Sequence, residues 1–231
     1  MAIKTLYTAV GRFERKTNGC GRCCPVIILG KKEYMVDIQE MVIWTCLNWR
    51  IARMEDIGAF YAETIQKAGH ITDRPWKDCV ERLLIRGLLV SGNGDTEYAA
   101  LYDLLSSLYI IPTNGPFMLR IASFLKLTLF KHVPFSAARK LFRRDIRTEK
   151  EKQVMDLARQ ALLSTAEIIQ CMEKGLRILP DEESIVEKLY DDPYTTSDNI
   201  SYVVQNAPGS QAVTLAVANL YLRQQIIFER I

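Results

Sequence analysis

Histidine is nearly missing from this chain. His70 and His132 are the only two among 231 residues, and they lie far apart, which argues against a His-based acid–base pair or a histidine-rich metal site. The sequence also lacks a glycine-rich phosphate loop and a G-x-S-x-G elbow, so an enzyme is not expected. No stretch approaches the roughly 18 uninterrupted apolar residues of a membrane span. The first residues, Met1-Ala2-Ile3-Lys4-Thr5-Leu6-Tyr7, lack the apolar core and cleavage site of a secretory signal. A cytoplasmic protein without membrane contact is therefore expected, and its six cysteines are expected to be thiols rather than disulfides. Cys20-Gly21-Arg22-Cys23-Cys24 holds one C-x-x-C, but no second one follows at zinc-finger spacing, so no metal and no cofactor are expected. A redox sensor is a better reading of Cys20, Cys23 and Cys24 than zinc, because Arg22 and nearby lysines would lower a thiol pKa, and ordinary reduced cysteines in a small hairpin are the reading favoured over both.

What remains is an ordinary globular composition, 48% hydrophobic and 25% charged, with a net charge of +3 and a pI near 8.5. That charge is too mild to imply nucleic-acid binding, so its distribution matters. Residues 1–32 carry Lys4, Arg12, Arg15, Lys16, Arg22, Lys31 and Lys32 against Glu14 alone. The apolar run 25–29 followed by Gly30-Lys31 suggests a short hairpin.

Met35, Ile38, Val42, Cys46 and Trp49 recur at helical spacing, as do Ile57, Phe60, Tyr61, Ile65 and Ala68. Pro75 suits the first turn of a third helix, whose buried stripe would be Trp76, Cys79, Val80, Leu83 and Leu84, with Gly87 as its stop. Asn93-Gly94 then favours a tight turn between runs 88–91 and 96–98. The phrase Val80-Glu81-Arg82-Leu83-Leu84-Ile85-Arg86-Gly87-Leu88-Leu89 resembles the recognition-helix exit of winged helix-turn-helix transcriptional regulators such as the MarR and PadR families. The likeness spans roughly residues 36–100 and is to the superfamily. It implies a DNA-reading helix followed by a β-hairpin wing, and dimeric binding to double-stranded DNA at paired half-sites.

On that helix Arg74, Lys77, Asp78, Glu81, Arg82 and Ile85 lie away from the apolar stripe. Cations there suit phosphates or guanine edges, and an acid can accept from cytosine. Asn93 at the wing tip joins this set, although Asp95 beside it repels phosphate. Arg139, Arg143 and Arg147 share one helical face and form a second candidate contact with the DNA backbone.

Thr113-Asn114-Gly115-Pro116 marks a boundary. Residues 1–111 would hold the winged-helix DNA-binding domain, and 112–231 a helical domain for dimerisation or for sensing an unknown small-molecule or redox signal. There the spacing predicts helices over 117–130, 135–144 and 181–190, and a long one from the Thr148/Glu151 capping box to about Lys174. The segment 211–229 would be one helix with Val213, Ala216, Val217, Leu220, Tyr221 and Ile227 on its apolar face, partly buried and partly a homodimer contact. No internal repeat is evident. The expected fold is thus mainly α, a winged helix-turn-helix with a small β-hairpin wing plus a C-terminal helical domain. The expected function is sequence-specific transcriptional regulation as a dimer. The alternative is a winged-helix protein–protein interaction module in a helical adaptor or complex subunit.

Overall fold

Four short polar side chains decide where helices begin. Asp37 accepts the Glu40 backbone N–H and starts α1 (Ile38–Leu47); the Glu40 carboxylate answers by accepting the Asp37 N–H, closing a capping box. Thr96 caps α4 (Glu97–Ser106). Thr148 with Glu151 and Ser164 with Glu167 form two further capping boxes, at α5 (Glu149–Gln160) and α6 (Thr165–Glu173). Between α1 and α4 run α2 (Met54–Ala68) and α3 (Trp76–Ile85); α7 (Ile200–Val203) and α8 (Ser210–Leu222) follow α6. These elements come from a computed structural model, which describes residues 3–17, 23–68, 74–113, 147–178 and 187–230.

Seven strands in three small sheets accompany the helices among the described residues. β1 (Lys4–Ala9) pairs antiparallel with β5 (Leu89–Gly94). β2 (Arg12–Thr17), β3 (Cys23–Leu29) and β4 (Lys32–Met35) form an antiparallel meander. β6 (Tyr109–Pro112) pairs with β7 (Ile226–Glu229). The chain is therefore mixed α and β, which corrects the mainly α expectation.

The expected wing is also absent. Gly94 does not turn back into a second strand, because Thr96 opens α4 instead. The β5 partner comes from the N-terminus, with Lys4 opposite Gly94 and Ala9 opposite Leu89. The glycines serve a different purpose from a turn. A Cβ on Gly92 would stand 2.2 Å from the Leu104 nitrogen, and one on Gly94 2.4 Å from that of Ala100. Their missing side chains let the α4 backbone lie directly on β5.

Two more expectations change. The long helix from Thr148 breaks at Ala161, because the backbone there pairs with the start of β6: Leu163 O accepts from Ile110, and Thr165 donates to Leu108 O. The last helix stops at Leu222. Gln224 takes a positive φ of 60°, and Ile226-Ile227-Phe228 enters β7.

The backbone repeats one arrangement twice, although the sequence does not advertise it. β1, α1, α2, α3 and β5 match β6, α5, α6, α8 and β7 in order. In each unit the first strand meets the residues just before the second helix, at Tyr7–Ala52 and at Tyr109–Ser164. In each, the last helix closes through paired bonds to its own final turn, Leu88 to Leu83 and Gln225 to Leu220. Each also holds a buried N3 glutamate, Glu40 or Glu151. The arginine just past the third helix reaches it: Arg86 Nη1 lies 3.0 Å from Glu40 Oε2, and Arg223 Nη1 3.2 Å from Glu151 Oε2. The second unit carries extra residues between its second and third helices, which puts the two halves out of step in sequence.

One continuous apolar core joins the units, from Ala9 and Ile27 through Leu83 and Leu105 to Ile169, Val217 and Phe228. β6 spans the expected boundary near residue 112 and pairs with the end of the chain.

Candidate functional site

The polar side of α3 faces the N-terminus of α1. Arg74 Nη1 sits 2.9 Å from Asp37 Oδ2. Arg82 Nε lies 2.9 Å from Glu40 Oε1, and Arg86 holds the other oxygen of the same carboxylate. Burial pushes the Asp37 carboxyl up, but the Glu40 N–H, the Arg74 hydrogen bond and the charges of Arg74 and Arg82 outweigh it and hold the pKa below its usual range. Two of the arginines nominated from the sequence are thus engaged with carboxylates inside the fold. Lys77 rests over the Trp76 ring, 5.8 Å from its centroid. It stays exposed beside Asp78 and Glu81, and Arg82, the other exposed cation of this face, is already paired with Glu40. Asn93 accepts from the Thr5 hydroxyl at 2.8 Å, and its N–H donates to Asp103 Oδ2 at 2.7 Å.

Arg139, Arg143 and Cys20 lie outside the described residues, as does the Cys23 side chain. Cys24 is half-buried in β3. Cys46, Cys79 and Cys171 are buried. Burial pushes the Cys79 thiol up and the Cys171 thiol to about 12, the state of core thiols rather than reactive ones. Among the described residues no group of three or more His, Cys, Asp or Glu could hold a metal ion, and no helix is long and apolar enough to cross a membrane.

Ile85 is the conspicuous residue of α3. It is 79% exposed, at the mouth of a cleft of about 790 Å³ between the two units. One wall is the Gly30-Lys31 turn from β3 to β4, with Lys32 and Tyr34. The C-terminal end of α3 supplies Ile85 and Arg86. Opposite stand Ile111, Leu162 and the chain end at Glu229-Arg230. Leu162 is 49% exposed, and Met35 and Ile38, where β4 leads into α1, are exposed too. Arg86 ties this edge together by donating to the Met35 carbonyl and lying over the Tyr34 ring.

The rim is cationic. Arg12, Lys31, Lys32, Arg86 and Arg230 line it against one acid, Glu229. The Glu229 carboxylate accepts the Gly30 N–H and fastens the β3–β4 turn to β7. Burial raises its pKa, opposed by that hydrogen bond and by Arg12. Lys31, Lys32 and Arg230 make no ion pair among the described residues. Aliphatic surface bordered by uncommitted cations is a chemistry of binding.

The sequence held part of this site. Lys31 and Lys32 stood out in the basic segment, and Ile85 fell off the apolar stripe of α3. Nothing local marked Leu162 or Arg230, which reach the cleft only through the second unit. No known protein family, characterised protein or solved structure matches the chain.

Proposed function

We propose that this protein is a protein-interaction module that binds a partner through the cleft at the end of α3. The observation that carries the reading is the pair of exposed aliphatic side chains, Ile85 and Leu162, that face one another across the cleft. Exposed apolar side chains bordered by polar groups mark interaction sites. The engagement of Arg74 and Arg82 with Asp37 and Glu40 weighs against base reading by α3, since a cation must leave its carboxylate before it can serve a phosphate or a guanine.

The test is a photo-crosslinking residue at position 85 of the full chain, compared with one at the equally exposed Tyr194. A discrete protein adduct at 85, absent at 194 and lost when Leu162→Glu is added, is the expected result. Equal labelling at both positions refutes the reading. The uncommitted Lys31, Lys32 and Arg230 favour a second one, a dimeric DNA-binding regulator. It requires duplex binding that weakens steeply with salt, measured by titration at two ionic strengths.

A further inference from the structure

Resting on the reading above, we infer that the occupant of the cleft is an acidic amphipathic segment of a partner protein, its aliphatic side chains between Ile85 and Leu162 and its carboxylates on Lys31, Lys32 and Arg230. Charge complementarity carries this choice. The whole chain has a net charge of only +3, yet five cations line this one cleft; Arg86 and Arg12 are paired with Glu40 and Glu14, and Lys31, Lys32 and Arg230 remain against the single charge of Glu229. A neutral segment would leave the three uncommitted cations unmatched, and a basic one would also meet them as like charges, which selects against both.

The aliphatic component separates a peptide from a polyphosphate. Ile85 and Leu162 come from different units and face the same space, so an occupant must present apolar groups to both walls. A nucleic-acid backbone presents charge without such groups. Burial of two or three aliphatic side chains supplies the affinity, and the cations supply orientation and selection.

Four probes, titrated by fluorescence anisotropy against the full chain, test this. The first is a synthetic peptide with Leu and Glu at helical spacing, the second the same peptide with Lys for Glu, the third polyglutamate, and the fourth duplex DNA. The Leu/Glu peptide is expected to bind. Its affinity should fall roughly tenfold or more in Lys31→Glu/Lys32→Glu and clearly in Ile85→Ser, whose side chain is exposed and whose loss leaves the fold intact by circular dichroism. The Leu/Lys peptide and polyglutamate should bind at least about tenfold more weakly than the Leu/Glu peptide. Equal binding of the acidic and basic peptides, or no effect of the charge reversal, overturns the inference. So does duplex DNA binding more tightly than the acidic peptide with a steep salt dependence, which would assign the cations to phosphate. If position 85 crosslinks a partner while the acidic peptide fails, the interaction reading stands and the occupant chemistry is wrong; if neither occurs, both fall.

Discussion

At the residue scale, the most repeated device is a buried glutamate that both caps a helix and receives an arginine. Glu40 and Glu151 are almost fully buried, so each needs its cation to offset desolvation. Glu40 has two, Arg82 and Arg86, whereas Glu151 has Arg223 as its ion-pair partner among the described residues. Arg223→Ala is therefore expected to cost more than Arg86→Ala, each in a range of about 1–3 kcal/mol. Urea unfolding of both variants ranks them, and adding Glu151→Gln to Arg223→Ala should recover part of the loss. Equal costs, or no recovery, would mean that solvent already serves the second carboxylate.

Asp37 gives the acid limb of stability. Its folded pKa lies below the ordinary 3.8, so the native state holds its proton less tightly than the unfolded chain. The stabilisation is complete above that ordinary value and is lost as pH falls through the lower folded one. Glu229 has the opposite sign: its raised pKa makes the native state less stable as pH climbs through the carboxylate range. Melting temperature followed downward from pH 6 should drop less steeply below about pH 4 in Asp37→Asn than in the parent protein. Parallel curves would remove Asp37 from the acid response.

At the element scale, the helices of the first unit were legible as helices from local rules, and the α3 stripe holds, but α1 buries Ile43, Trp44 and Leu47 and leaves the expected Met35 and Ile38 exposed. The stop at Gly87 and the cap at Thr148 were legible from the same rules, whereas the Asp37 capping box was not read. The strands were harder, because their partners lie far away. Leu89-Val90 was visible as an extended run, but nothing near it named Thr8 and Ala9 as its neighbours. Asn93-Gly94 carried turn chemistry, and the competing demand for close approach by α4 was invisible without the fold. The site divided in the same way. Ile85 could be placed outward on α3, while Leu162 had to be brought across from the second unit. Gly92→Ala separates the two uses of glycine. At the tip of an exposed wing the change would be mild. Against α4 the new Cβ would collide with backbone at Leu104 and Ala100, which cannot move aside as a side chain can. A loss of about 1–3 kcal/mol or more is expected, read by denaturant midpoint. A neutral result would refute the contact between α4 and β5.

At the scale of the whole molecule, the two units are joined by a tyrosine. Tyr221 belongs to α8, yet its hydroxyl lies in the first unit. It accepts from the Thr8 hydroxyl and the Trp49 N–H, both at 2.9 Å, and donates to Ala9 O at 3.1 Å. Its ring stacks on Phe228 at 4.3 Å, and burial pushes its pKa to about 12. Leu220 is equally buried, so charging either residue would attack the fold before any dimer contact; on α8 the exposed aliphatics are Leu215 and Leu222. Tyr221→Phe keeps the stacked ring and deletes only the hydroxyl, stranding the Trp49 N–H at a cost of about 1–3 kcal/mol. The location of the tryptophans makes the consequence measurable. Trp44, Trp49 and Trp76 all belong to the first unit, with the Trp49 indole donating across the junction to Ile226 O at 3.2 Å, so their fluorescence follows that unit and the junction, while far-ultraviolet circular dichroism follows helices of both. In the parent protein the two denaturation curves should coincide, because one core runs through both units. In Tyr221→Phe both should shift to lower denaturant, still together if packing alone couples the units, or apart if the buried hydroxyl holds them as one. Curves that already separate in the parent protein would show two independent folding units and would dissolve the cleft between them as a fixed site.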